Sequence, residues 1–126
     1  MKIVLSKTVV AVQEDLFFTV KIADAAKRAG LETVFVQTET AALERLAARP
    51  VVVVVDLNLK SMDPVELVSR IKSGEFSDVP VVGYVPHVQV ELKQRALAAG
   101  CDAVFARSTF STSLSEILSR YASRTH

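Results

Sequence analysis

The sequence has little of several features that mark specialised proteins. It contains one cysteine, no tryptophan, four glycines and two histidines in 126 residues. One cysteine cannot form an internal disulfide or a CxxC metal site, and two histidines, at positions 87 and 126, are too few for a His-based zinc site. Nothing in the composition therefore requires an oxidising compartment, and the sequence predicts a cytoplasmic protein.

An excess of one charge and long apolar runs are also missing. The 15 Lys and Arg against 14 Asp and Glu leave a net charge of +1, which argues against the basic footprint of a nucleic-acid-binding protein. The longest purely apolar run is residues 51–55, whereas a membrane-spanning helix needs about 18 residues. A glycine-rich phosphate loop and a G-x-S-x-G motif are absent from the sequence, which excludes NTPases, dinucleotide enzymes and hydrolases of those types.

What the sequence does have is hydrophobic residues, above all valine. Half of the residues are hydrophobic and 21 of them are valine. A chain of this length can bury about two-thirds of its unfolded surface in one core, and β-branched residues in such numbers favour buried strands. We therefore expect a single domain spanning residues 1–126.

Apolar strand patterns alternate with helical patterns along the chain. The predicted strands are residues 8–12, 32–37, 51–55, 79–85 and 102–106. The predicted helices are residues 15–29, 40–49, 63 to about 74, 88–99 and 114–121. Gly83 falls inside a predicted strand, which suggests a close backbone approach there. This alternation predicts an α/β fold with a doubly wound, five-stranded parallel sheet and five helices.

Ligands of such sheets bind outside the carboxyl ends of the strands, so the polar residues at those ends are the candidate site. Asp56 directly follows five valines, and a carboxylate at the end of a buried strand needs a partner, a cation or hydrogen bonds. If the first and third strands are neighbours, Glu14 faces Asp56 and a Mg²⁺ ion between them would relieve their repulsion. Arg107, after the fifth strand, could bind phosphate oxygens at the same rim.

Each candidate has a second interpretation that the sequence leaves open. Asp56 could simply end a buried strand, and Glu14 could be a solvated acid at a helix start, with Asp15 as a competitor for its role. Arg107 could form a structural ion pair with Asp56 or Glu14. His87 could bond a phosphoryl oxygen at the pocket mouth or be a solvated residue at a helix start.

From Lys7 to about Ser123 the chain resembles the bacterial response-regulator receiver domains. Residues 56–67, with the sequence DLNLKSMDPVEL, are similar to the phosphoacceptor loop of that family. Residues 79–82 and 98–103 are similar to its fourth strand and to the approach to its fifth. The resemblance implies the flavodoxin-like receiver fold, with strand order 2-1-3-4-5.

The resemblance also implies a function in two-component phosphorelay signalling. Asp56 would be the phosphoacceptor, Glu14, Asp56 and the carbonyl of Asn58 would hold Mg²⁺, and Arg107 would stabilise the phosphoryl oxygens. The partners implied are a histidine kinase or phosphotransfer protein and a downstream protein. The activity would be that of a signalling domain, with at most self-phosphorylation and self-dephosphorylation, and a homodimer stays open.

The sequence departs from the family pattern at several positions around this site. Gln13 and Glu14 stand where the family has paired acids, so Mg²⁺ binding should be weaker. Val85 stands where the family has a hydroxyl residue, Arg107 where it has a lysine, and Ser108 where it has a proline. Val104 stands where the family has an aromatic residue, and Pro64 where it has a glycine. These departures favour an alternative function, a pseudo-receiver that binds protein partners without being phosphorylated.

Overall fold

The structure is a computed structural model that describes residues 7–87 and 89–123. Its strands are β1 (Thr8–Val12), β2 (Glu32–Val36), β3 (Val52–Asp56), β4 (Val81–Val85) and β5 (Ala103–Ala106). Its helices are α1 (Leu16–Arg28), α2 (Glu39–Arg45), α3 (Pro64–Ser73), α4 (Val90–Ala99), α5 (Arg107–Thr112) and α6 (Leu114–Ala122), and a 3-10 turn (Leu46–Ala48) follows α2. Over this described part of the chain, no helix has both the length and the apolarity to cross a membrane.

The strands form one parallel sheet in the order β2-β1-β3-β4-β5, as predicted. The strand order reverses between β1 and β3, which are hydrogen-bonded neighbours with Val12 opposite Val55. The carboxyl ends of β1 and β3 therefore lie side by side, at the point where sheets of this kind bind ligands.

Helices cover both faces of the sheet and create two hydrophobic layers. In the aromatic layer, α1, α5 and α6 pack on one face and contribute Phe18 and Phe110 among others. In the aliphatic layer, α2, α3 and α4 pack on the other face, and Leu67 is among its fully buried residues. Successive residues of β3 point into opposite layers, Val53 into the aliphatic and Val54 into the aromatic one. The prediction that this strand is buried on both faces is confirmed.

Helix α1 carries two apolar stripes, and one of them faces solvent. Phe18 and Ile22 are buried in the aromatic layer. Leu16, Phe17 and Val20 are exposed by 80%, 87% and 68%. We call these three residues the α1 patch. Both stripes satisfy the helical spacing, so periodicity alone could not show which one belongs to the core.

Two local predictions about the chain backbone are confirmed. Asp63 caps α3, because its Oδ1 accepts a hydrogen bond of 3.1 Å from the Glu66 amide, and Pro64 is the first helical residue. Gly83 lies against a neighbour as expected, since a Cβ atom there would stand 2.7 Å from Leu57 Cδ1. Leu57 thus packs directly on the backbone of β4.

Other boundaries differ from the predictions. The closing helical region begins at Arg107 instead of Leu114 and is divided at Ser113, whose φ of −103° and ψ of 12° interrupt it, so the described chain has six helices where five were predicted. Asp56 is the last residue of β3 and does not follow it. The predicted start of the fourth helix, at residue 88, falls outside the described residues, and α4 begins at Val90.

Candidate functional site

Asp56 lies half-buried at the carboxyl edge of the sheet, between the ends of β1 and β4. One of its oxygens, Oδ1, accepts a hydrogen bond of 2.9 Å from the backbone amide of Asn58. Burial raises the pKa of Asp56, and the nearby carboxylates of Asp15 and Glu14 act in the same direction, against the Asn58 hydrogen bond and the charge of Arg107. The carboxylate of Asp56 is therefore incompletely compensated.

Asp15 lies at the same edge and is fully engaged. It is the N-cap of α1, where its Oδ1 accepts hydrogen bonds from the amides of Phe17 and Phe18 at 2.9 and 3.2 Å. Its Oδ2 accepts a hydrogen bond from Arg107. The Arg107 hydrogen bond and the capping amides lower the pKa of Asp15. Asp15 and Asp56 thus differ in pKa direction although they lie at one sheet edge.

Arg107 is the first residue of α5 and directly follows β5, so it lies at the carboxyl edge of the sheet. Its Nη2 donates to Asp15, and its guanidinium carbon lies 4.7 Å from the centre of the Phe18 ring, in a cation–π contact. The expectation that a structural ion pair of Arg107 would involve Asp56 or Glu14 is wrong, because Asp15 is the partner. A guanidinium has five N–H donors, so this pairing leaves donors for another anion.

Gln13, which the resemblance aligned with an acid, is buried in the protein. It is 2% exposed, and its Nε2 donates a 2.7 Å hydrogen bond to Thr19 Oγ1. Its Oε1 accepts a 2.8 Å hydrogen bond from the Asp15 amide. Both ends of the amide are used to hold the start of α1, so Gln13 positions Asp15.

The remaining predicted site residues are at the surface of this edge. Glu14 is exposed and follows Gln13, and Asn58 is half-buried in the turn after β3. His87 is exposed two residues beyond β4, and the described residues offer it no hydrogen bond or ion pair. The structure brings Asp56, Asn58 and Arg107 together at the edge, with Glu14 near enough for its charge to act on Asp56. Among the described residues, His87 makes no hydrogen bond or ion pair with any of them.

The predicted Mg²⁺ ligands can be compared with the geometry. Across residues 7–87 and 89–123, no three His, Cys, Asp or Glu side chains form a group that could hold a metal ion. The predicted set has two carboxylates, Glu14 and Asp56, and the carbonyl of Asn58. Mg²⁺ keeps several waters and is commonly held by one or two carboxylates. The incompletely compensated charge of Asp56 therefore fits a hydrated Mg²⁺ with few protein ligands.

Sequence reasoning missed Tyr84. This residue is 1% exposed on β4, and its Cα pairs with that of Asp56 in the parallel ladder. Its hydroxyl oxygen is buried and has no hydrogen-bond partner in the described part of the chain. The register of β3 and β4 places Tyr84 beside Asp56. No local pattern in the sequence indicates that register.

A cleft of about 410 Å³ opens between α1 and α5 next to Arg107. Its lining combines aromatic, cationic and hydroxyl side chains, and consists of Phe17, Phe18, Lys21, Pro86, Arg107, Ser108 and Ser111. Lys21 Nζ donates a 3.0 Å hydrogen bond to Ser111 Oγ across it. The cleft joins the α1 patch to the site, because Phe17 belongs to both.

No family model matches the chain, and no curated protein matches it. Solved structures do. A response regulator from Hahella chejuensis has a TM-score of 0.83 at 22% identity, over 96% of this chain and 98% of that one. The chemotaxis response regulator CheY4 of Vibrio cholerae has a TM-score of 0.78 at 21% identity, over 94% and 99%. The Mn²⁺-bound form of response regulator Rcp1 has a TM-score of 0.79 at 16% identity, over 94% and 96%. The fold is therefore that of response-regulator receiver domains.

Proposed function

We propose that this chain is a receiver domain of a two-component phosphorelay and accepts a phosphoryl group on Asp56. The observation that carries the proposal is the environment of Asp56, a half-buried carboxylate with a raised pKa at the point where the strand order reverses. A raised pKa makes an ionised carboxylate more basic and hence more nucleophilic. The receiver fold supports the same assignment.

In the transfer, one Asp56 oxygen attacks the phosphorus of a donor phosphohistidine. The P–N bond breaks, its electron pair goes to the imidazole nitrogen, and the new P–O bond makes an acyl phosphate. Arg107 stabilises the oxygens of the transferring group with the N–H donors that Asp15 does not use. Glu14, Asp56 and the Asn58 carbonyl would hold Mg²⁺, which supplies positive charge against the phosphoryl oxygens when bound.

The partners in this proposal are proteins. The donor is a histidine kinase or phosphotransfer protein. The α1 patch, at the same edge of the sheet as Asp56, offers this donor an apolar docking surface. Output passes to a downstream protein, and the chain itself binds no nucleic acid directly. It acts as a signalling domain in the cytoplasm, with self-phosphorylation and self-dephosphorylation as its own chemistry.

A pseudo-receiver is the second candidate, and two observations favour it. First, Arg107 is already paired with Asp15. Second, the Gln13 side chain is used in two internal hydrogen bonds, at a position where an ordinary receiver would have a second acid facing the cation. In this case the same fold binds its partners without phosphorylation.

Treatment with acetyl phosphate and Mg²⁺, followed by intact-mass measurement, separates the two candidates. We expect one phosphoryl adduct on the parent chain and none on Asp56→Asn. Asp63→Asn is the matched control, because asparagine also caps helices and Asp63 lies in the same loop, so this variant should be labelled like the parent. An unlabelled parent chain, under conditions that label an ordinary receiver, would establish the pseudo-receiver.

A further inference from the structure

The side chain of Tyr84 lies in the aromatic layer and is directed to the same face as Asp56. The two residues pair in the parallel ladder of β3 and β4, and paired residues of such a ladder project to one side of the sheet. The tyrosine ring stacks on Phe110 at 5.1 Å between centroids and packs against Phe18 at 4.9 Å. The ring therefore has two aromatic neighbours, and the whole residue is almost fully buried.

The Tyr84 hydroxyl is an exception to the usual satisfaction of buried polar groups. Two side-chain atoms in the described residues, Tyr84 Oη and Thr33 Oγ1, are buried without a hydrogen-bond partner. Thr33 lies on the edge strand β2, which β1 separates from β3. A buried hydroxyl without a partner destabilises the folded state, and native proteins retain few of them. The unpartnered hydroxyl of Tyr84, in the strand next to Asp56, therefore indicates that a ligand bound at this site supplies its hydrogen-bond partner.

The charges around Tyr84 indicate what that partner is. Burial raises the pKa of Tyr84, the carboxylates of Asp56 and Asp15 raise it further, and Arg107 opposes them. These three residues are the charged groups of the candidate site, so the Tyr84 hydroxyl is close enough to the site to be affected by its charges. The hydroxyl stays protonated and is a donor, which suits an anionic oxygen acceptor.

We propose that Tyr84 is a further functional residue of this site, whose Oη donates a hydrogen bond to an oxygen of the phosphoryl group on Asp56, directly or through one water. The inference rests on the proposed phosphoacceptor function. No bond of Tyr84 is made or broken, and its proton stays on Oη. The hydrogen bond stabilises the charge on the transferring group together with Arg107, from the buried side of the edge.

The experiment compares Tyr84→Phe with the parent chain in the acetyl phosphate assay. Phenylalanine keeps the ring contacts and removes the hydroxyl alone. Tyr121→Phe, in α6, is the matched control, because it removes the other phenolic hydroxyl of the chain. We expect Tyr84→Phe to be labelled about tenfold more slowly, as befits the loss of a hydrogen bond to a charged group, with Tyr121→Phe unchanged.

The outcomes separate this inference from the proposed function. A labelled parent chain with Tyr84→Phe labelled at the same rate would overturn the role of Tyr84 and leave phosphorylation standing. An unlabelled parent chain would overturn the phosphoacceptor function itself, and the role of Tyr84 with it.

A second measurement on the unmutated chain does not depend on how the variant folds. With ¹³C-labelled tyrosine, the Cζ resonance of Tyr84 should shift when beryllofluoride and Mg²⁺ are added, and that of Tyr121 should stay in place. Asp56→Asn should abolish the shift. A Tyr84 resonance that stays fixed while the side-chain resonances of Arg107 move would contradict the proposal.

Discussion

The two faces of the sheet are packed with different kinds of side chain. In the aromatic layer, the rings of Phe18, Tyr84 and Phe110 contact one another and Phe105 contacts Phe110, with centroid distances from 4.9 to 6.0 Å. The fully buried residues of the aliphatic layer are branched aliphatic side chains, alanines and Cys101. Planar rings have preferred mutual orientations, whereas aliphatic side chains fill space without such directionality.

The polar groups of the site belong to the aromatic side. Arg107 lies on the ring of Phe18, Asp15 caps the helix that carries Phe18, and Tyr84 stacks on Phe110. On the aliphatic side, Leu57 fixes the start of the turn after Asp56 by packing on Gly83. We infer that the aromatic layer orients the charged groups and that the aliphatic layer holds the backbone around Asp56 in place.

The largest expected effect comes from removing a ring at the centre of the aromatic layer. Phe110 is fully buried and contacts three other rings, so Phe110→Ala should lower the free energy of unfolding by about 3–5 kcal/mol. Urea unfolding followed by circular dichroism measures this. Leu67→Ala, in the aliphatic layer, is the control and should cost a comparable ~2–5 kcal/mol.

The two variants should differ in what happens to Arg107. Its side-chain NMR resonances should move in Phe110→Ala, because Phe18 loses a neighbour, and stay near their parent positions in Leu67→Ala. Equal movement in both variants would contradict the separation of the two layers.

A smaller effect is expected at the contact between Gly83 and Leu57. Gly83→Ala places a methyl group 2.7 Å from Leu57 Cδ1, and Leu57 is buried, so overpacking should cost about 1–3 kcal/mol. Leu57→Ala removes the clashing atoms. The double variant should therefore be more stable than the sum of the single losses by about 1–2 kcal/mol. Additive losses in urea unfolding would show that Leu57 moves aside freely.

The sequence predicted the aliphatic side and the backbone of the site better than the aromatic side. The valine run before Asp56 predicted a strand buried on both faces, and Asp63 and Pro64 predicted the start of α3. The pairing of Arg107 with Asp15 joins residues far apart in sequence, and the sequence had offered Asp56 or Glu14 as the ion-pair partner. The geometry of this ion pair depends on α5 starting at residue 107. No capping residue and no periodic spacing of apolar residues in the sequence predicted that start.

The position of Gln13 shows the same limit. Its alignment with an acid predicts only that Mg²⁺ binds more weakly, whereas its burial against Thr19 depends on how α1 approaches β1. Polar side chains of similar size can point into a cleft or into the protein, and a local sequence pattern does not distinguish the two. Tyr84 was missed because its role follows from strand register, which is a tertiary property.

Gln13 gives the third prediction, on the α1 side of the sheet. Gln13→Leu leaves the Asp15 amide without its acceptor and Thr19 without the Nε2 donor, and should cost about 1–2 kcal/mol. Thr19→Val is the control, since it keeps the Asp15 amide satisfied and should cost less. If Thr19→Val cost more than Gln13→Leu in urea unfolding, the Asp15 amide would not be the important partner of Gln13.

The smallest expected effect concerns Asp15 and Asp56, whose pKa values move in opposite directions. The pKa of Asp15 is lowered in the folded state, so its stabilisation is present above the unfolded pKa and is lost as the pH falls through the folded pKa. The pKa of Asp56 is raised, so its contribution is present below the unfolded pKa and is lost as the pH rises through the folded pKa. Replacing each by asparagine should therefore change stability with opposite sign at neutral pH.

Asp15→Asn keeps the helix cap and removes the charge that pairs with Arg107. Because the two side chains are 31% and 35% exposed, we expect a loss of about 0.5–1 kcal/mol near neutral pH. The loss should shrink when the pH is lowered below the folded pKa of Asp15, since the parent chain then loses the same charge. Asp56→Asn should instead be stabilising near neutral pH, because it removes a half-buried charge that is incompletely compensated. Urea unfolding of both variants at neutral and acidic pH measures these differences. A loss in Asp15→Asn that is independent of pH would contradict the assignment of this stabilisation to the charge of Asp15.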